Sequence, residues 1–228
     1  MSKEKGLIER LKQIEYLEGF VTEERKAIFK QVLADRTRHF TVILEDLYQK
    51  HNTSAITRSC DVFGIQDLHI IENNYRTYVS NQVGKGSQKW LSFYRYNKET
   101  HNTQACIDTV KAKGYQIVAT TPHKSSCVLG DFDVTKKSAF VFGVEKEGVS
   151  DMMLEQADVR LKIPMYGFTE SLNVSVAAAI VLQNVVTRLR DTDLDWKLTP
   201  SEKQEAYFEW LKKSIKSIDQ ILELYHKQ

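Results

Sequence analysis

The chain has 228 residues, 42% of them hydrophobic and 27% charged, with a formal net charge of +2. That length suffices for one sizeable core with a small appendage, and no apolar run reaches the roughly 18 residues a membrane span requires. The opening, Met1 to Arg10, is too charged for a secretory signal, and Cys60, Cys106 and Cys127 form no zinc or redox pattern, so a reducing cytoplasm is the expected compartment.

In chain order, Leu7–Leu17 and Glu23–Leu33 read as two amphipathic helices, the second opened by Thr22 with Glu23 and Glu24. From Thr41 the pattern changes to strands alternating with helices. Thr41–Leu44 is a β-branched strand, followed by a helix over about 53–62 that Gly64 closes, and then by the strand Leu68–Ile71. Lys89–Tyr94 reads as a further strand. Thr103 is expected to cap a helix ending at Gly114, and the strands Tyr115–Ala119 and Ala139–Phe142 follow. Ser150 is expected to cap a short helix, and Pro164 ends the strand Val159–Ile163 because proline cannot donate to a ladder. After the Gly167 loop, Ser171 is a candidate cap for a helix in which Val174, Ala177, Ala178 and Val181 recur at helical spacing. The capping box Thr199-Pro200-Ser201-Glu202 then opens a long amphipathic helix carrying Tyr207, Trp210, Leu211, Ile215, Ile218, Ile221, Leu222 and Tyr225. The alternation predicts an α/β fold, a mostly parallel sheet with helices on both faces, flanked by short N- and C-terminal helical extensions.

Charge is unevenly spread. Between Asn73 and Lys98 there is no acidic residue, while Arg76, Lys85, Lys89, Arg95 and Lys98 are interleaved with Tyr75, Tyr78, Trp90, Phe93, Tyr94 and Tyr96. This is either an RNA-facing segment, cations on phosphates and rings on bases, or a solvated surface with strand aromatics. Arg25, Lys26, Lys30, Arg36 and Arg38 form a second basic run.

Several standard sites are missing: there is no G-x-G-x-x-G after the first strand, no full phosphate loop around Gly84-Lys85-Gly86-Ser87, no G-x-S-x-G and no metal-ligand spacing. What remains are polar residues where strands end, at the carboxyl edge where parallel sheets bind ligands. They are His51, Asn52 and Arg58 around the first sheet helix, the Gly143–Gly148 loop with Glu145, and Ser171 and Asn173 after the last strand.

Taken together, Asn52-x-x-Ala-x-x-Arg58, Phe142-Gly143-x-Glu145-x-x-Gly148 and Ile163-Pro164-Met165…Ser171-Leu172-Asn173-Val174-Ser175-Val176-Ala177 resemble, in order and separation, the three motifs of the SPOUT-class RNA 2′-O-ribose methyltransferases. Within that class the resemblance is to the TrmH family and covers roughly Arg25 to Arg190. It implies a C-terminal trefoil knot in the sheet domain, a homodimer with the active site at the subunit interface, and S-adenosylmethionine as cofactor. It implies methyl transfer to the 2′-hydroxyl of a guanosine in tRNA, position 18 of the D-loop, with another RNA such as ribosomal RNA, or non-catalytic RNA binding, as alternatives.

The same resemblance divides the chain into 1–38, a tRNA-gripping extension, 39–190, the methyltransferase domain, and 191–228, a C-terminal extension. It assigns the chemistry to Arg58, with Asn52, Glu145, Ser171 and Asn173 orienting it and the substrate, and cofactor binding to Thr120, Gly143, Ile163 and Leu172. Arg25, Arg36, Arg38, His51 and Lys89 are the expected RNA contacts, and no metal is implied. The chain departs from the family pattern at Lys50, where a proline often precedes the His-Asn pair; this touches loop shape more than chemistry.

Overall fold

The computed structural model describes residues 2–80, 84–98, 101–122, 127–144 and 147–227. They fall into two units, 1–36 with 197–228, and 37–196.

The larger unit is a seven-stranded sheet among the described residues: β1 (Phe40–Glu45), β2 (Asp67–Ile71), β3 (Ser92–Tyr96), β4 (Gln116–Thr120), β5 (Cys127–Val128), β6 (Ser138–Phe142) and β7 (Val159–Lys162). Their order is β3-β2-β1-β6-β4-β7-β5, and every pairing is parallel. A parallel sheet needs crossovers, and helices supply them on both faces, as the alternation predicts. One face of β1, Phe40, Val42 and Leu44, packs with Ile56 and Cys60 of α3 (Lys50–Val62) and with Ala178, Val181 and Val185 of α6 (Val174–Arg190). The opposite face, through Ile43, meets Cys106, Ile107 and Val110 of α4 (Asn102–Ala112) and Met153 of α5 (Asp151–Gln156). Because both faces are covered, β1, β2 and β6 are buried along their whole length.

Several boundaries differ from the sequence expectation, each for a local reason. α3 begins at Lys50, so His51 and Asn52 lie inside its first turn rather than before it. The strand expected at 89–94 runs from Ser92 to Tyr96, and Ser87–Lys89 is a 3-10 turn entered by Gly86 in the left-handed region. Thr103 does not cap α4, whose N-cap is His101; its hydroxyl is turned inward to Glu45. Ser150 does cap α5, accepting from the Met153 amide. The short β5 has no sequence signal, since two residues cannot show a period.

The smaller unit contains α1 (Ser2–Glu18), α2 (Glu23–Ala34), α7 (Pro200–Ser214) and α8 (Ile218–Tyr225). The capping box at Thr199 is formed as expected, with Pro200 in the first turn. The single long C-terminal helix is not: it breaks between Ser214 and Ile218, where Ser217 has a φ of 55°. Phe29 lies edge-on to Trp210 at 5.5 Å and to Tyr207 at 6.2 Å, which forms the centre of this unit. Arg36, expected on RNA, is instead 1% exposed with its guanidinium over Trp210 at 5.3 Å. Burial against an aromatic ring makes it a packing element here, since a basic run in sequence does not distinguish a cation on water from one on an indole.

Within the larger unit, His69 is fully buried at the middle of β2, stacked on Tyr94 and 2.8 Å from the Tyr96 hydroxyl. Burial, helped by the charge of Lys113, pushes its pKa down from 6.5 to about 3. The folded state therefore keeps His69 neutral while the unfolded chain takes up a proton, so stability falls as pH drops through the unfolded value. Urea unfolding should show this group's loss of roughly 2 kcal/mol between about pH 7.5 and 5, and His69→Gln should flatten that part of the profile.

Candidate active site

The carboxyl ends of β4, β6 and β7 meet at a cavity of about 540 Å³. Thr120, Gly143, Ile163, Leu172 and Ser171, five of the residues singled out by sequence, line it. The Thr120 hydroxyl donates back to the Val141 carbonyl at 2.7 Å. Gly143 admits no other residue, because an added Cβ would overlap the Gly148 carbonyl. Gly148 itself has a φ of 74° and its amide donates to Val144 at 2.8 Å, closing the loop on itself.

A clamp holds that loop in place. Glu45, at the end of β1 and 3% exposed, accepts from the Ser150 amide at 2.9 Å and hydroxyl at 2.7 Å, and from Thr103 at 3.0 Å. Its neighbour Asp46, with a φ of 53°, accepts from the amides of Asn73 and Asn74 at 2.7 and 2.8 Å. Asn73 in turn donates to Thr103 at 2.9 Å, so one hydrogen-bonded ring ties three loops to the end of one strand. Sequence reasoning missed both acids; the signal was two carboxylates directly after an apolar strand, where polar residues of a parallel sheet gather.

The third motif is organised by Asn173, not by Ser171. Asn173 caps α6: its Oδ1 accepts from the amides of Ser175 at 2.9 Å and Val176 at 3.4 Å and from the Ser175 hydroxyl at 2.6 Å. The cap fixes the amide plane, and its Nδ2 then donates to Asn52 Oδ1 at 3.1 Å across 121 positions of sequence. Asn52 is held from its other side, donating to Gln49 Oε1 at 2.8 Å. Ser171 lies in the preceding loop on the cavity wall, because the cap falls two residues later.

Other expected residues are placed differently. Arg58 is exposed on α3, makes no ion pair among the described residues and lines neither this cavity nor its neighbour. It stands about 9 Å further along the helix axis than Asn52, turned about 120° around it. Glu145 lies outside the described residues. His51, Lys89 and Arg25 are exposed, whereas Arg38 is paired with Asp67 at 3.1 Å, an acid 4% exposed at its side chain. That partner neutralises the charge expected to meet phosphate, so Arg38 serves the fold.

Residues 39–183 match the SpoU rRNA Methylase family, over more than half of the chain. The chain belongs to that family. It is 38% identical over 207 residues to the tRNA (guanosine(18)-2′-O)-methyltransferase of Borreliella burgdorferi, covering 91% of this chain and 93% of that one. It is 35% identical over 197 residues to the enzyme of the same name from Thermus thermophilus, covering 84% and 98%. Among solved structures, the TrmH/SpoU tRNA modifying enzyme of Aquifex aeolicus superposes with a TM-score of 0.74 at 32% identity, over 84% of this chain and 97% of that one. The methyltransferase AviRb of Streptomyces viridochromogenes, solved with AdoMet, gives 0.60 at 25% identity, over 71% and 65%.

The residues present in this member of the family suit S-adenosylmethionine. Leu161, Ile163, Leu172, Val174 and Ala177 offer an apolar side for an adenine, and the tight glycine loop brings main chain close. Glu147, Asp151, Glu155 and Glu170 outnumber Arg160 on the same wall, which favours a ligand carrying positive charge. Among the described residues no group of His, Cys, Asp and Glu could hold a metal ion.

Two substitutions test this geometry. Asn173→Ser keeps a capping oxygen but cannot reach Asn52, so urea unfolding should change little while methyl transfer falls; Asn173→Ala should also cost about 1 kcal/mol of stability. Glu45→Gln sets an amide N–H against one of three donors. Calorimetry should show weaker S-adenosylmethionine binding, and urea unfolding a loss of about 1–3 kcal/mol.

Proposed function

We propose that this protein transfers a methyl group from S-adenosylmethionine to the ribose 2′-hydroxyl of a guanosine in tRNA, position 18 of the D-loop. The observation that carries the reading is the Asn52–Asn173 bridge beside the glycine-loop cavity, which joins the first and third motifs in space. The names of the relatives at 35–38% identity over most of the chain support the substrate.

Thr120, Gly143, Ile163 and Leu172 would hold the cofactor, which when bound would supply an electrophilic methyl on a sulfonium. A ribose hydroxyl is a weak nucleophile and must lose its proton as the new bond forms. A guanidinium is a persistent cation, so Arg58 is best placed as a clamp on the ribose and its phosphate, with the proton leaving through phosphate or water. Asn52, Ser171 and Asn173 orient the hydroxyl and the clamp, and Glu145 joins them from the glycine loop. Arg25, His51 and Lys89, all exposed, are available to phosphates of the tRNA.

Arg58 also supports a homodimer. It lines neither cavity of its own chain, while α6 exposes Val176 and Ile180 beside exposed Leu172, Tyr166 and Phe168. A second copy covering that apolar face would bring its arginine to a site that one chain leaves incomplete. Residues 39–190 form the methyltransferase domain, with 1–38 and 191–228 as extensions that grip tRNA, and the chain around β7 and α6 is threaded as a trefoil knot.

Incubation of the protein with labelled S-adenosylmethionine and purified tRNA or ribosomal RNA, followed by mass-spectrometric mapping, tests the reading. Label should appear as 2′-O-methylguanosine at tRNA position 18. Arg58→Ala should reduce incorporation by at least about a hundredfold, the order expected for losing a positioned charged group, while tRNA is still bound. Label confined to ribosomal RNA, or incorporation unchanged by Arg58→Ala, would overturn it.

A further inference from the structure

A second cavity, of about 500 Å³, adjoins the first and shares with it the wall made by Val144, Glu147 and Gly148. Its other lining residues are Ser150 and residues from the end of β1 and the loops after β1 and β2, among them Tyr48 and Tyr75. These two rings are half-exposed, at 50% and 52%, with centroids 5.3 Å apart and planes tilted by 50°. Rings so placed leave a free face on which a planar group can stack.

Three carboxylates border this space, those of Glu45, Asp46 and Glu147. Two are already engaged: Glu45 holds Ser150 and Thr103, and Asp46 holds the amides of Asn73 and Asn74. Glu147 is exposed on the wall common to both cavities and makes no ion pair among the described residues. Three acids repel phosphate, so the backbone of a nucleic acid is unsuited to this cavity, whereas a neutral planar base carrying N–H groups fits it.

We propose that the second cavity receives the nucleobase of the methylated nucleotide, stacked against Tyr48 and Tyr75, with the Glu147 carboxylate accepting the N1–H of guanine. This rests on the methyltransferase reading above and extends it from the ribose to the base. Guanine carries a hydrogen at N1, whereas adenine presents a bare acceptor there, which a carboxylate repels. The shared wall sets the base beside the methyl donor, as transfer to the ribose of the same nucleotide requires.

The test compares tRNA transcripts bearing guanosine or adenosine at position 18, by kcat/KM, with the wild-type protein and Glu147→Gln. Glutamine can accept from guanine or donate to adenine, so the preference for guanosine should fall by about tenfold or more, the size expected for removing one charge-assisted contact. Each ratio is taken within one protein, so any effect of the substitution on cofactor binding cancels. Tyr48→Ala and Tyr75→Ala should each raise KM for tRNA by roughly tenfold with S-adenosylmethionine affinity unchanged, and the Phe variants should restore it. An unchanged guanosine preference in a folded Glu147→Gln protein, or unchanged tRNA KM in both Ala variants, would overturn the proposal. Should Glu147→Gln fail to bind S-adenosylmethionine, the tyrosine variants alone decide. Failure of the wild-type protein to methylate the guanosine transcript counts against the methyltransferase reading and is thereby separable from this result.

Discussion

Two adjacent carboxylates at the end of β1 carry the architecture of the site. Glu45 faces one way, to Ser150 and the glycine loop; Asp46 faces the other, to the amides after β2. Each is buried yet fully hydrogen-bonded, which is the condition under which a carboxylate can remain inside a fold. Asp46 adopts the left-handed region, with a φ of 53°, at the point where the strand ends. Loops that would otherwise be mobile are thereby fixed to the most buried part of the sheet, and a preorganised cavity results.

Electrostatics divide the surface between tasks. Acids outnumber the one arginine around the space that suits a sulfonium, so the side chains there favour a positive ligand. The cations expected to meet RNA separate into two classes once folded. Arg25, Lys89 and Arg58 remain at the surface, while Arg38 pairs with Asp67 and Arg36 lies over Trp210. The first class is exposed to solvent, with Arg25 also lying over the Phe29 ring at 5.9 Å, and the second is packed against a partner whose loss would cost stability.

The structure also explains why some elements were legible and others were not. Strands such as Thr41–Leu44 and Ala139–Phe142 announced themselves because burial on both faces demands an unbroken apolar run. The break at Ser217 was hidden, since the apolar stripe continues on both sides of it and no glycine or proline marks it. Ser171 and Asn173 are both good capping residues, and spacing alone could not choose between them. Contact with Asn52 on another helix favours the second.

Sequence alone determined the alternation of strand and helix, the three polar motifs at strand ends and, through their order, the chemical family, because these depend on local periodicity and on residue type. Only the tertiary structure decided which arginines are exposed and which are packed against a partner, which asparagine caps and bridges, and that Glu45 and Asp46 hold the loops. The physical reason is that burial, ion pairing and hydrogen-bond saturation are properties of contacts between residues far apart in the chain, and no local pattern encodes them.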